Sequence, residues 1–452
     1  MSRLLLLVLF SVLALVCRFG GAAESPPRPD FVILLADDLG YADVGFNGGR
    51  DVPTPHIDAL SKRGAVLEQF YVQTVCSPTR AAFMTGRYPM RYGLQEGVIR
   101  PHMQYGLPLA ERTLAHALRE SGYTTAITGK WHLGEYHPSF LPLQRGFDFQ
   151  YGHFFGMLNY NTHMRDGQRD WYRNDKPCDD VGYTTELIAR EAVQIVAEQP
   201  REKPLFLYVP FNAVHSPYHT APGREQDFEN LPQARREYAT MLSEMDLAIG
   251  RILTALEQAG RQQNAFIVFS SDNGGIGPAD NGPLRGNKGT PYEGGHRVAA
   301  CVAWPGHIPA GQRIAQPLHI VDLLPTFAAL AGVPLDAEHQ PRSLDGLNCL
   351  PVLTSGAATP HQEILLACEP NVAAIRVGDW KLVVNNKRGG KGKTPRNAGP
   401  ELFNLREDPG EQSNLATQLP DKLHELQQRL AKYQSEAVAP HSDPTGIVES
   451  RP

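Results

Sequence analysis

The 452-residue sequence has no excess of positive charge: 43 Lys and Arg stand against 48 Asp and Glu, a formal net charge of −5. That excludes a global basic footprint, and with it nucleic acid as the main partner. A polyanionic ligand would have to find a local basic patch. Past its N-terminus the chain also lacks any apolar run long enough to span a bilayer, so no stable membrane insertion is expected. The apolar stretch Leu4 to Val16 is short, follows Arg3 and leads to Gly21-Ala22-Ala23. These features read as an export signal cleaved near Ala23, while Val16 ahead of Cys17 argues against a lipoprotein site. The expected protein is exported, whether secreted, periplasmic or lysosomal and lumenal, with residues 1–23 outside the fold.

Cysteine is scarce as well. Of the six present, removal of Cys17 leaves Cys76, Cys178, Cys301, Cys349 and Cys368. An odd number in an exported protein singles one of them out. The other four allow up to two disulfides, and nothing in the sequence chooses among the three complete pairings. The length exceeds the usual single-domain size. One large catalytic domain, 24–335, and a smaller C-terminal subdomain, 336–452, are expected, divided where the texture changes to shorter strands.

What is present centres on Cys76-Ser77-Pro78-Thr79-Arg80, followed by Ala81 to Arg87. Ser77 can cap a helix, Pro78 suits its first turn and Gly86 can end it, which puts Cys76 at a helix N-terminus. Unpaired N–H groups and the positive end of the dipole favour an anion or a cysteine-derived nucleophile there. Arg80, four residues on, shares the helical face. A buried cysteine before an ordinary capped helix is the plainer alternative.

Along the chain, Phe31 to Ala36 is a strand of the kind buried on both faces, ending at Asp37-Asp38. Adjacent carboxylates at a strand end suit a hard cation or a solvated turn. Pro55 to Gly64 reads as a helix and Val66 to Val72 as a strand. Thr113 to Ser121 is helical, and Tyr123 to Thr128 a strand leading to Lys130 and His132. Two apart in an extended segment, these two face one side. Residues 146–182, rich in aromatic, His and Asn residues, read as long loops shaping a cleft. Glu186 to Glu198 is helical, and Leu205 to Val209 is a buried strand followed by Asn212 and His215. Glu225 to Ala259 is mostly helical, and Ala265 to Ser270 is a strand ending in Asp272-Asn273-Gly274-Gly275, where oxygen ligands meet a tight turn. A Gly-rich loop from Leu284 to Gly295 holds Lys288. Pro309 to Gln316 reads as a loop and Val321 to Leu330 as a helix. Beyond residue 335 come strands over Ala374 to Val384 and Glu401 to Asn404, then a helix from Leu419 to Ala437. The basic stretch Lys387 to Lys393 reads as a solvated loop, with contact to an anionic polymer as the alternative.

Asp37/Asp38, Lys130/His132, His215 and Asp272/Asn273 each follow an apolar strand. In an α/β fold with mostly parallel strands these positions converge at the carboxyl edge, where such sheets bind ligands.

CSPTR followed by MTGR resembles the signature of type I sulfatases, whose cysteine is oxidised enzymatically to formylglycine. LLADDLG (34–40), GKWHLG (129–134), SDNGG (271–275), RGNKGTPYEGG (285–295) and ELFNLREDPGEQSNL (401–415) resemble further motifs of that family in its order. TTAITGKWHLG and RGFD (145–148) are most similar to its arylsulfatase B-like group. The resemblance implies an alkaline phosphatase-like α/β fold: a large, mostly parallel mixed sheet between helices, with a C-terminal α+β subdomain containing an antiparallel sheet. It also implies one Ca2+ ion held by Asp37, Asp38, Asp272, Asn273 and the modified Cys76. Hard oxygen ligands agree with that ion.

By the same resemblance, formylglycine at Cys76 would be hydrated to a gem-diol whose hydroxyl, held by Ca2+ and Arg80, attacks a sulfate ester. Lys130 and Lys288 would offset the sulfate charge, and His215 would protonate the leaving alcohol. His132 would take the proton that expels sulfate. The implied substrate is a sulfated carbohydrate or an aryl sulfate, and the maturation partner a formylglycine-generating enzyme. A phosphate or phosphonate monoester hydrolase of the same superfamily, or an anion-binding protein with unmodified Cys76, are the competing readings.

Overall fold

The computed structural model describes residues 28–101, 103–224, 226–384 and 399–441. The segment 1–23, read above as an export signal, and the basic stretch 387–393 lie outside the described residues. Five parallel strands form the centre of a ten-stranded mixed sheet, in the order Ala265–Ser271, Asp30–Ala36, Leu205–Pro210, Thr124–Lys130 and Phe149–His153. Strands on both flanks extend it, with Cys301–Ala303 pairing antiparallel to Ala265–Ser271.

The sheet is apolar on both faces because alternate residues of each strand point to opposite sides. Phe31, Ile33 and Leu35 pack with Phe83 of helix Cys76–Thr85, Leu118 of helix Leu114–Glu120 and Phe327 of helix Leu323–Ala331. Val32 and Leu34 pack on the other side with Ile188 of helix Thr184–Glu198 and Leu242 of the long helix Gln233–Gln258. The result is the expected large mixed sheet between two helical layers. A smaller four-stranded antiparallel sheet follows, Ile364–Glu369, Val372–Val377, Trp380–Val384 and Glu401–Asn404, with helix Pro420–Glu436 beside it.

Several local expectations are corrected. Residues 146–182 are not loops alone: Phe149–His153 joins the central sheet, and two short hairpins follow, because strand pairing overrides weak periodicity. Val66 to Val72 splits into Ala65–Leu67 and Phe70–Tyr71, which belong to different sheets. Within Pro309 to Gln316, Gln312–Ile314 pairs with Ala65–Leu67. The long helix begins at Gln233, after Pro232, rather than near Glu225. The five cysteines are all free thiols, so the described residues contain no disulfide.

Candidate active site

The parallel strands all end on one side, and their ends deliver the polar groups. Asp37 and Asp38 follow Ala36, Lys130 closes its strand, His215 lies five residues past Pro210, and Asp272 and Asn273 follow Ser271. The ladder continues past the strand ends: Asp37 N–H donates to the Ala213 carbonyl at 2.9 Å, and Asp272 N–H to that of Ala36 at 3.0 Å. Asp38 then turns into the left-handed region, φ 62°. This reverses the chain and leaves both adjacent carboxylates in the site.

Cys76 opens its helix at the first turn. Val75, extended and without a side-chain cap, precedes it. Ser77 is therefore not the cap: its Oγ accepts the Ile99 N–H at 3.1 Å instead. Gly86 at φ 65° ends the helix, as the sequence indicates. All ten residues of the helix are buried.

Three cations are set against three carboxylates. Arg80 donates from Nε and Nη2 to Asp272 Oδ2 at 3.0 and 2.7 Å, and from Nη1 to the Lys130 carbonyl at 2.9 Å. Lys130 Nζ lies 2.5 Å from Asp37 Oδ2. Lys288 Nζ is 2.5 Å from Asp38 Oδ1 and 3.3 Å from Cys76 Sγ. His215 Nε2 stands 3.5 Å from Asp38 Oδ2. Possible ligand atoms of Asp37, Asp38, Cys76 and His215 lie within 4.8 Å of one another. Asn273 Nδ2 donates to Asp38 Oδ1 at 2.7 Å, while its buried Oδ1 has no hydrogen-bond partner. Every sequence-predicted site residue is thus brought to this strand edge.

These contacts set the protonation states. Burial alone would raise Asp37, but Lys130, His215 and Arg80 hold its carboxyl well below the usual range. Asp38 is likewise lowered, Lys288 and His215 outweighing burial. Burial and the Asp37 charge raise Asp272 despite Arg80. The Cys76 thiol is pushed up to about 12 by burial and the Asp272 charge, so an unmodified thiol there is protonated and a poor nucleophile at neutral pH. Burial and the charges of Lys130 and Arg80 keep His132 neutral, well below its ordinary value. Its Nε2 faces the Ile99 carbonyl at 2.8 Å. A carbonyl only accepts, so Nε2 carries the proton and Nδ1, buried without a partner, keeps its lone pair.

Above these groups opens a cleft of about 960 Å³ bordered by Cys76, His132, His215 and Lys288. It also takes in residues that sequence reasoning did not single out: Arg100, Phe155 and Gly156, and Arg165 and Gln168 of a short hairpin. Arg100 lacks any motif, and only the folding of Gly97 to Pro101 against the Cys76 helix brings it here.

A family model described as Sulfatase matches residues 29–333. Arylsulfatase J of Mus musculus is 36% identical over 473 aligned residues, covering 92% of this chain and 78% of that protein. N-acetylgalactosamine-6-sulfatase of Homo sapiens is 33% identical over 442, covering 88% and 83%. Among solved structures, Ps i-CgsB in complex with k-i-k-neocarrahexaose is similar with a TM-score of 0.83 at 33% identity, covering 93% of this chain and 96% of that one.

Proposed function

The chain belongs to the sulfatase family, and from that premise we propose that it is a calcium-dependent sulfuric-ester hydrolase in which Cys76 matures to formylglycine. Its substrate is a sulfated carbohydrate or an aryl sulfate. The observation that carries this reading is Lys288 Nζ, in contact with both Asp38 and Cys76 Sγ at the base of an open cleft. A reactive position and a fixed cation thereby meet one anionic group.

The donor set fits calcium. Asp37, Asp38 and Asp272 offer hard carboxylate oxygens, and the orphaned Asn273 Oδ1 is a buried acceptor in want of a positive partner. With formylglycine at Cys76, the ion would supply positive charge to the sulfate and the modified side chain the attacking oxygen. Lys130 and Lys288 bind and offset the sulfate oxygens. Arg80, locked onto Asp272 and the Lys130 carbonyl, keeps that wall of the site in place. His215, beside Asp38 and at the cleft, donates a proton to the leaving alcohol, and His132 Nδ1 accepts the proton released as sulfate departs.

One acidic cluster bordered by several lysines and arginines favours a sulfate monoanion over a phosphate monoester. The complex of Ps i-CgsB with a neocarrahexaose supports a sugar substrate. In this reading residues 24–335 carry the chemistry, 336–452 form a smaller subdomain, and an exported chain meets a formylglycine-generating enzyme during maturation.

The test is peptide mass spectrometry across Cys76 together with sulfate release from an aryl sulfate, an aryl phosphate and sulfated sugars. An aldehyde in place of the thiol and faster release of sulfate than of phosphate are expected, with no turnover in Cys76→Ala. An intact thiol throughout the mature protein overturns the formylglycine reading, and faster phosphate release overturns the choice of ester.

A further inference from the structure

We infer that the mouth of the cleft holds a second anion subsite centred on Arg100, so that the preferred substrate carries, besides the scissile sulfate, a second anionic group on an adjoining sugar. The inference rests on the sulfatase reading of the inner site and adds a determinant of substrate class to it.

Charge is balanced differently in the inner site and at the rim. In the inner site each cation is matched by a carboxylate: Lys130 by Asp37, Arg80 by Asp272 and Lys288 by Asp38. At the rim, Arg165 is taken up by Asp166, Nε to Oδ2 at 2.8 Å. Arg100 borders the same cleft, is exposed, and among the described residues has no ion pair. It is an unspent cation beside a site built for anions.

Its placement is fixed by its neighbour. Ile99 is buried at 3% exposure. Its N–H donates to Ser77 Oγ at 3.1 Å, and its carbonyl accepts from His132 Nε2 at 2.8 Å. Ser77 adjoins Cys76, and His132 borders the cleft. The backbone one residue before Arg100 is therefore clamped between two walls of the reaction site. On the other side, the Arg100 N–H contacts Met103 Sδ at 3.3 Å, and Pro101 restricts the chain. A guanidinium on so constrained a segment loses little backbone freedom on binding, and its planar fork suits a sulfate or carboxylate.

Size agrees. A cleft of about 960 Å³ lies at the upper end of the range for small-molecule sites, roughly 300–1,000 Å³, and far exceeds one sulfate group. Phe155 and Met157, partly buried, add apolar surface along it on which a sugar ring can lie. A sulfate ester and a uronate carboxylate share the chemistry that Arg100 recognises.

The experiment compares kcat/KM for an aryl monosulfate, a monosulfated disaccharide of neutral sugars, a disulfated disaccharide and a monosulfated disaccharide containing a uronate. In Arg100→Ala the preference for either dianionic sugar over the neutral-sugar monosulfate should fall roughly ten- to a hundred-fold, the loss of one charge-assisted bidentate contact. Arg100→Lys should recover part of it. A preference unchanged for both dianionic sugars overturns the subsite. Titration calorimetry of the two dianionic sugars into Cys76→Ala protein, with and without Arg100→Ala, reads the same subsite without turnover. Should the wild type release no sulfate from any substrate, the reading of the inner site fails. Equal binding by the two proteins would separately overturn the role of Arg100.

Discussion

Lys381 Nζ lies 3.0 Å from Glu293 Oε1, with both side chains wholly buried. Lys381 belongs to the antiparallel sheet, and Glu293 to the Gly-rich segment that carries Lys288. Glu411 completes the clamp, its Oε1 2.7 Å from Lys381 Nζ and its Oε2 accepting the Glu293 N–H at 2.7 Å. Removing one partner leaves buried charge uncompensated. Lys381→Met should therefore cost roughly 3–5 kcal/mol of stability. Urea unfolding checks this, and the double variant Lys381→Met/Glu411→Gln should recover part of the loss. A single variant as stable as the wild type would refute the clamp.

Gly156 touches the placement of His132. A Cβ there would meet His132 Cε1 and Nε2 at 2.5 Å. The ring is buried and tied to the Ile99 carbonyl, so it has little room to yield. Gly156→Ala should lower kcat for sulfate release roughly ten- to a hundred-fold, as misplacement of a reacting group does. The melting temperature should fall as well, since the added methyl overpacks a buried ring, so kcat is read on the folded fraction. Unaltered kcat in a folded variant would remove His132 from the reaction.

Chelation tests the cation site. Stripping divalent ions should abolish sulfate release and lower the melting temperature, and calcium should restore both. At a hundred times its Kd, the ion should add about 2.7 kcal/mol of stability. Asp38→Asn, which removes a charge without changing shape, should weaken calcium binding in titration calorimetry. Identical affinity in wild type and variant would exclude Asp38 as a ligand.

The pH dependence of stability should show the buried acids Glu135 and Asp170. Burial, with the Asp170 charge adding to it, pushes Glu135 from 4.5 up to about 8. Burial pushes Asp170 from 3.8 up to about 7, against N–H bonds from Phe154 and Phe155. With folded pKa values above the unfolded ones, the folded state holds more protons through this range. The contribution of these groups is fully present below the unfolded values and is lost as pH rises through about 7 to 8. Glu135→Gln should accordingly flatten the profile, stabilising more at pH 8 than at pH 5. Equal effects at the two pH values, measured by denaturant unfolding, would contradict that origin.

The central architecture was legible because fully apolar runs such as Phe31 to Ala36 and Leu205 to Val209 have few other places to go, and each ends at polar residues. The site was legible for the same reason, since parallel strands bring their carboxyl ends together. Phe149–His153 was not. Its Gln, Gly and His residues gain strand character only by pairing with Thr124–Lys130. Ser77 misled because a hydroxyl next to a helix start can serve a distant backbone N–H as well as its own helix. Arg100 carried no local signal at all. Its position depends on Ile99 bonding to Ser77 and His132, 22 and 33 residues away.

The helix that begins at Cys76 has none of its ten residues at the surface. Cys76 is 2%, Ser77 1% and Arg80 0% exposed, and Arg80 is held from behind by Asp272. An enzyme that must read the side chains around Cys76 therefore has no access to them once the sheet has closed. If Cys76 is matured to formylglycine as proposed, modification would compete with folding, and the order of the two events would decide whether a given molecule becomes a catalyst. Any mutation that hastens closure of this layer would then lower specific activity while leaving the final fold unchanged.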